Sequence, residues 1–136
     1  MRSLITKLSL YFAAGCLGAV VNSLLLWYAG RMGVMAELGV RIAPELSPAW
    51  LYSRLVWGGL WGWLFFAPVA GRALLSKGVI LSLIPSAVQL LLIFPYQDHV
   101  GFLGSELGRL TPVVVLTGNA LWGLSAAVWL RLCRSG

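Results

Sequence analysis

Charge is scarce in this sequence. Its 136 residues hold four Asp and Glu, ten Lys and Arg and one histidine, so 10% of the chain is charged, where a soluble domain carries about 25%. A lone histidine, His99, excludes a bis-histidine haem, and with two cysteines it leaves no zinc-ligand spacing. Those cysteines are Cys16, inside an apolar run, and Cys133, at the far end, so no disulfide framework is expected. Phosphate loops and dinucleotide fingerprints are absent. No Ser–His–Asp set is indicated, because Ser47 and Ser53 read as a helix cap and a helix-wall residue. The expectation is a non-enzymatic protein with no predicted cofactor.

Apolar residues fill the remainder, at 60% of the chain. A single domain of this length has no core large enough to hide that much apolar surface. A bilayer removes the difficulty by solvating the outside. The net charge of +6 does not indicate nucleic acid, which needs a dense basic patch. Here the basic residues stand at the ends of apolar runs, as membrane anchors do. The partners implied are the lipid bilayer and either another membrane protein or a further copy of the chain, with no nucleic acid.

A spanning helix needs roughly 20 mostly apolar residues. Four stretches qualify, at about Leu8–Ala29, Ala49–Gly71, Gly78–Phe94 and Thr111–Leu130. The expected fold is therefore all-α: one polytopic domain over 1–136, with four transmembrane helices in an up-down-up-down bundle. An inside N-terminus puts Arg2, Lys7, Arg72, Lys77, Arg131 and Arg134 in the cytoplasm, and both termini with them. The other side then holds Arg31, Arg41, Arg54 and Arg109 with all four acids, Glu37, Glu45, Asp98 and Glu106. Ala13-Ala14-Gly15-Cys16 has the look of a lipoprotein cleavage box. The apolar run continues through Trp27, however, so an uncleaved anchor is expected. In the first outer loop, Val34, Met35, Leu38 and Ile42 recur at helical spacing, which predicts a short helix on the outer leaflet.

Two halves of the chain share a pattern. Gly15, Gly18 and Asn22 have the spacing of Ser82, Pro85 and Gln89, and each amide is followed five residues later by an aromatic, Trp27 and Phe94. Leu46-Ser47-Pro48 matches Leu110-Thr111-Pro112, and Ser53, Gly59 and Leu60 match Thr117, Gly123 and Leu124. Two tandem hairpin repeats, 8–71 and 78–131, would produce this, related by an axis along the membrane normal. Chance among apolar segments, with ordinary Ser-Pro and Thr-Pro helix starts, would produce it too.

Polar residues inside apolar spans are the candidate sites. Asn22, Gln89 and Asn119 carry amides that either join helices or line a ligand path. Gly15, Gly18, Gly58 and Gly62 present small faces for close helix packing. Arg54 lies inside the second span. It is expected to snorkel or to pair with Glu45, Asp98 or Glu106, or to form an anion or lipid-headgroup site with Arg109 and Tyr52. His99, beside Asp98, completes the outer-loop charged candidates. Of seven tryptophans, Trp27, Trp50 and Trp129 suit interfacial belts. Trp57, Trp61, Trp63 and Trp122 lie deeper, where they could wall a pocket for a lipid tail, quinone or pigment.

Leu17-Gly18-Ala19-Val20-Val21-Asn22 through Trp27, followed by Phe94-Pro95 and Leu110-Thr111-Pro112, resembles the YagU-type family of small bacterial inner-membrane proteins. That family also pairs an early apolar hairpin with an FP…LTP-like loop, although this chain lacks much of its loop material. The resemblance implies a bacterial inner membrane and brings no catalytic residues. Three functions follow from the sequence. The first is an accessory or scaffold subunit of a larger membrane assembly, acting through its small-residue faces. The second is a small-solute permease or channel working as a homodimer, and the third is a lipid- or quinone-binding protein.

Overall fold

The computed structural model describes residues 3–42, 44–66 and 74–135. Arg2, Arg72 and the expected end of the second span at Gly71 lie outside them. Helix α1 spans Leu4–Arg31, and Ser3 caps its start by accepting from the Thr6 N–H at 3.2 Å. One turn, α2, covers Val34–Glu37. Helix α3, Pro48–Gly62, starts where Ser47 accepts from the Trp50 N–H at 3.3 Å and Pro48 supplies a pre-set φ at the first position. A 3₁₀ turn, Trp63–Phe66, prolongs it. Helix α4, Leu74–Val88, continues as π-helical turns through Gln89–Gln97. Helix α5 is Thr111–Ser135.

Three of these helices are long and apolar enough to cross a membrane: Leu4–Arg31, Leu74–Gln97 and Thr111–Cys133, with mean hydropathies of 1.7, 2.0 and 1.7. At 1.5 Å per residue, α1 is about 42 Å long, more than the ~30 Å hydrocarbon layer requires. The fourth expected span is shorter over its described part, with 15 residues of α-helix and four of 3₁₀.

The helices pack antiparallel as a row, α3 on α1, α1 on α5 and α5 on α4. Glycine makes two of these approaches possible. A Cβ on Gly15 would overlap the Gly58 carbonyl oxygen and stand 2.9 Å from Gly62 Cα, and one on Gly78 would overlap the Gly123 carbonyl. Backbone therefore lies on backbone at the α1–α3 and α4–α5 crossings. Between α1 and α5, Gly18 receives the Trp122 ring, and the Trp122 indole N–H donates to the Gly15 carbonyl at 3.0 Å. Ala14, Ala19, Phe65, Leu81 and Ala126 pack with Trp122 in the main core.

The connections after α2 and after the π turns gather at one end, here the loop end. Gly39 and Gly108, both at positive φ, bring the two loops into backbone contact. The Arg41 N–H donates to the Leu107 carbonyl at 2.7 Å, and the Arg41 guanidinium donates to the Glu106 carbonyl. Beneath them Met35 and Val40 pack on Val114, while Val100, Leu103 and Leu107 pack around Phe94 and Val115. The expected surface helix thus amounts to a single turn. Its Met35 is buried against the protein because Gly33 and Gly39 turn the chain back over the bundle.

Candidate functional site

Asn22, Arg54, Gln89 and Asn119, chosen from four separate stretches of the sequence, line one cavity of about 130 Å³ at the loop-end half of the bundle. Its walls come from Asn22 and Leu26 of α1, Trp50 and Arg54 of α3, Gln89 and Phe94 of the π turns, and Val114, Val115, Gly118 and Asn119 of α5. Ile42, Pro44 and Leu107 from the two joined loops roof it. Arg54 is the sixth residue after Pro48, the first of α3, so its backbone lies about 9 Å below the helix end.

Arg54 is held from two directions. Its Nε donates to the Ser23 hydroxyl at 2.6 Å, and its guanidinium lies over the Trp50 ring, 5.1 Å from the centroid. Ser23 is fully buried, so its hydroxyl has no water to exchange for this bond. The expected ion pair with Glu45, Asp98 or Glu106 is not formed among the described residues. Those acids are exposed on the loops, whereas Arg54 is directed across α1 by Ser23. The two terminal amino groups of the guanidinium have no hydrogen-bond partner among the described residues. A fork of this kind suits bidentate recognition of phosphate or carboxylate.

The amides divide by role. Asn22 Nδ2 donates to Asn119 Oδ1 over a long 3.4 Å, Asn119 Nδ2 donates to the Ser86 hydroxyl at 3.0 Å, and Ser86 donates to the Ser82 carbonyl at 2.8 Å. This chain ties α1, α5 and α4 together, the interhelical role open to such groups in a membrane. Asn22 Oδ1 is buried without a hydrogen-bond partner among the described residues. It occupies the space that a side chain on Gly118 would fill. Gln89, by contrast, makes no side-chain hydrogen bond among the described residues and faces the cavity half-buried. The π turns explain its company: bonding from i to i+5 brings residues five apart towards one face, and Gln89 and Phe94 both line the cavity.

Other candidates fall elsewhere. Gly15, Gly18, Gly58 and Gly62 are all in helix crossings inside the chain. Glu45, Asp98, His99, Glu106 and Arg109 are exposed, and His99 sits at φ 56 in the second loop. Arg109 and Tyr52 do not join Arg54 at the cavity, because both point outward. Among the deeper tryptophans Trp122 is buried as a helix strut, while Trp57 and Trp63 are exposed on α3 and its extension. The cavity takes Trp50 instead, which sequence reasoning placed in an interfacial belt. Ser23 and Ser86 carried no sequence signal beyond being small polar residues in apolar runs. Cys16 donates its thiol to the Leu55 carbonyl at 3.3 Å, away from the cavity.

The chain is thus an all-helical protein with helices suited to a membrane and a polar, arginine-bearing cavity among them. No protein-family model, curated protein or solved structure matches it.

Proposed function

We propose that this protein is a membrane-embedded binding protein whose cavity takes a ligand with an anionic group, in the service of lipid handling or solute movement. The observation that carries this reading is the convergence of Arg54 and Gln89, both with unused hydrogen-bonding capacity, on one cavity of an otherwise apolar chain. A half-buried cation without a carboxylate partner is costly in this setting, and an anionic ligand offsets that cost. The scaffold reading drew on small-residue faces. Gly15, Gly18, Gly58 and Gly62 all meet other helices of the same chain, so packing within the chain accounts for them without a partner.

The topology proposed is four membrane-crossing segments with both termini cytoplasmic, in a bacterial inner membrane. Support for α3 as the fourth comes from its course along α1. It starts at the loop end, and its extension reaches the start of α1, where the Trp63 indole N–H donates to the Leu8 carbonyl at 3.1 Å and Phe66 meets Tyr11. A duplication is supported at the cavity itself. Asn22 and Gln89, Trp50 and Val114, and Arg54 and Gly118 occupy matched positions of the two candidate hairpins and all line it. It is opposed by the helix row, since α1 packs along α5 while α3 does not pack along α4.

Native mass spectrometry of protein gently extracted from its own membrane tests the reading. A bound small molecule, lost on Arg54→Gln, is the expected result. A chain that carries no small molecule and co-purifies with a larger membrane protein would restore the accessory-subunit reading.

A further inference from the structure

The cavity is walled on three sides and roofed. α1 and α5 pack closely through Gly18 and Trp122, the α4–α5 side is closed beside the cavity by the Asn119–Ser86 bond and by Leu90 and Phe94 packing on Val115, and α3 lies on α1. The roof of Ile42, Pro44 and Leu107 is fastened where Arg41 bonds the Glu106 and Leu107 carbonyls. The fourth side differs. Helix α3 packs along neither α4 nor its π continuation. Contact between these two parts of the chain is concentrated at the opposite end, where Lys77 Nζ donates to the Phe65 carbonyl at 2.7 Å. The two elements therefore diverge towards the loop end, with Trp50 and Arg54 on one edge of the cleft and Gln89 and Phe94 on the other.

Resting on the binding role proposed above, we infer that the ligand is an anionic membrane lipid that enters sideways from the bilayer between α3 and the π turns. Its phosphate sits on the free amino groups of Arg54, with Gln89 donating from the far edge. A soluble anion reaching the same place has to pass either the fastened apolar roof or hydrocarbon, whereas a lipid is already in the leaflet that the cleft faces. The volume agrees. About 130 Å³ is close to the ~150 Å³ that admits a benzene-sized ligand, room for a headgroup phosphate but not for acyl chains, which stay in the cleft and the bilayer.

The test uses the full chain in mild detergent, titrated with phosphatidylglycerol, phosphatidylcholine or glycerol 3-phosphate and read by native mass spectrometry. One phosphatidylglycerol per chain is expected, bound in preference to phosphatidylcholine. Arg54→Gln should weaken it about tenfold or more, as loss of a charge-assisted pair does, with Arg54→Lys intermediate. Because a variant can fail to fold, a photoactivatable phosphatidylglycerol is also cross-linked to the wild-type chain, where labels should concentrate on peptides holding Trp50 and Gln89–Phe94. Labels spread evenly over all helices, or undiminished binding to a folded Arg54→Gln, would overturn the inference. Tight binding of glycerol 3-phosphate alone would overturn the lipid assignment while leaving the binding role standing.

Discussion

Gly15→Ala is the substitution that tests the helix arrangement framing the cavity most directly. In an isolated helix, alanine in place of glycine gains about 1 kcal/mol. Here the new Cβ would overlap the Gly58 carbonyl oxygen and lie 2.9 Å from Gly62 Cα. Both obstacles are backbone, so relief requires α1 and α3 to move apart. Overpacking of that kind costs about 1–3 kcal/mol. Moving α1 also strains the 3.0 Å bond from the Trp122 indole to the Gly15 carbonyl, worth about 1 kcal/mol. The net expectation is a loss of about 1–3 kcal/mol. Gly59→Ala is the matched control, since its Cβ would meet the Phe12 ring at 2.7 Å and Cys16 Sγ at 2.9 Å. These are side chains that can turn aside, so packing cost and helical gain nearly cancel. In a thermal melt followed by circular dichroism in one detergent, Gly15→Ala should unfold roughly 5–10 °C below Gly59→Ala. Equal melting temperatures, or a stabilised Gly15→Ala, would show that α1 and α3 do not cross backbone on backbone.

Three further outcomes are expected. Asn119→Leu removes the bonds to Asn22 and Ser86 and should cost about 1–2 kcal/mol; in a double-mutant cycle with Asn22→Leu the two losses should sum to more than the pair measures, and strict additivity would mean the amides do not meet. Thr111 is fully buried and its hydroxyl has no hydrogen-bond partner among the described residues, so Thr111→Val should leave the melting temperature unchanged or raise it by a few degrees; a clear drop would reveal a further partner. Arg41→Ala releases the clasp on Glu106, and hydrogen exchange over 99–110 should quicken while exchange within α1 and α5 is unaffected. Unchanged exchange in that loop would mean that the roof is held by its apolar contacts alone.

The helical, membrane-suited character was legible because it depends on composition and run length, which need no partner to be read. The small-residue positions were legible for a related reason: only a missing side chain lets two backbones meet, and Gly15, Gly58 and Gly62 do so. Ser47 was readable as a cap, since capping is local, and its hydroxyl accepts from the Trp50 N–H. Its supposed counterpart Thr111 shows where local reading fails, for its hydroxyl is buried without a hydrogen-bond partner among the described residues. The likeness of Ser-Pro to Thr-Pro does not extend to what the side chains do.

Arg54 marks the boundary most clearly. That it lies within an apolar stretch, and so demands an explanation, follows from the order of residues alone, as do the polar positions Asn22, Gln89 and Asn119. Which group meets the guanidinium does not follow. Ser23 is 31 residues away along the chain and Trp50 is four, and nothing in the spacing favours that serine over the loop acids. The glycine crossings set how close α1 and α3 approach, and the π turns set which face carries Gln89. Sequence determined the solvent this protein needs and the residues that are costly to place in it. Tertiary structure decided which of those residues bond to each other, which remain unused, and that the unused ones share a single cavity, because a helix face acquires its neighbours only when another helix packs against it.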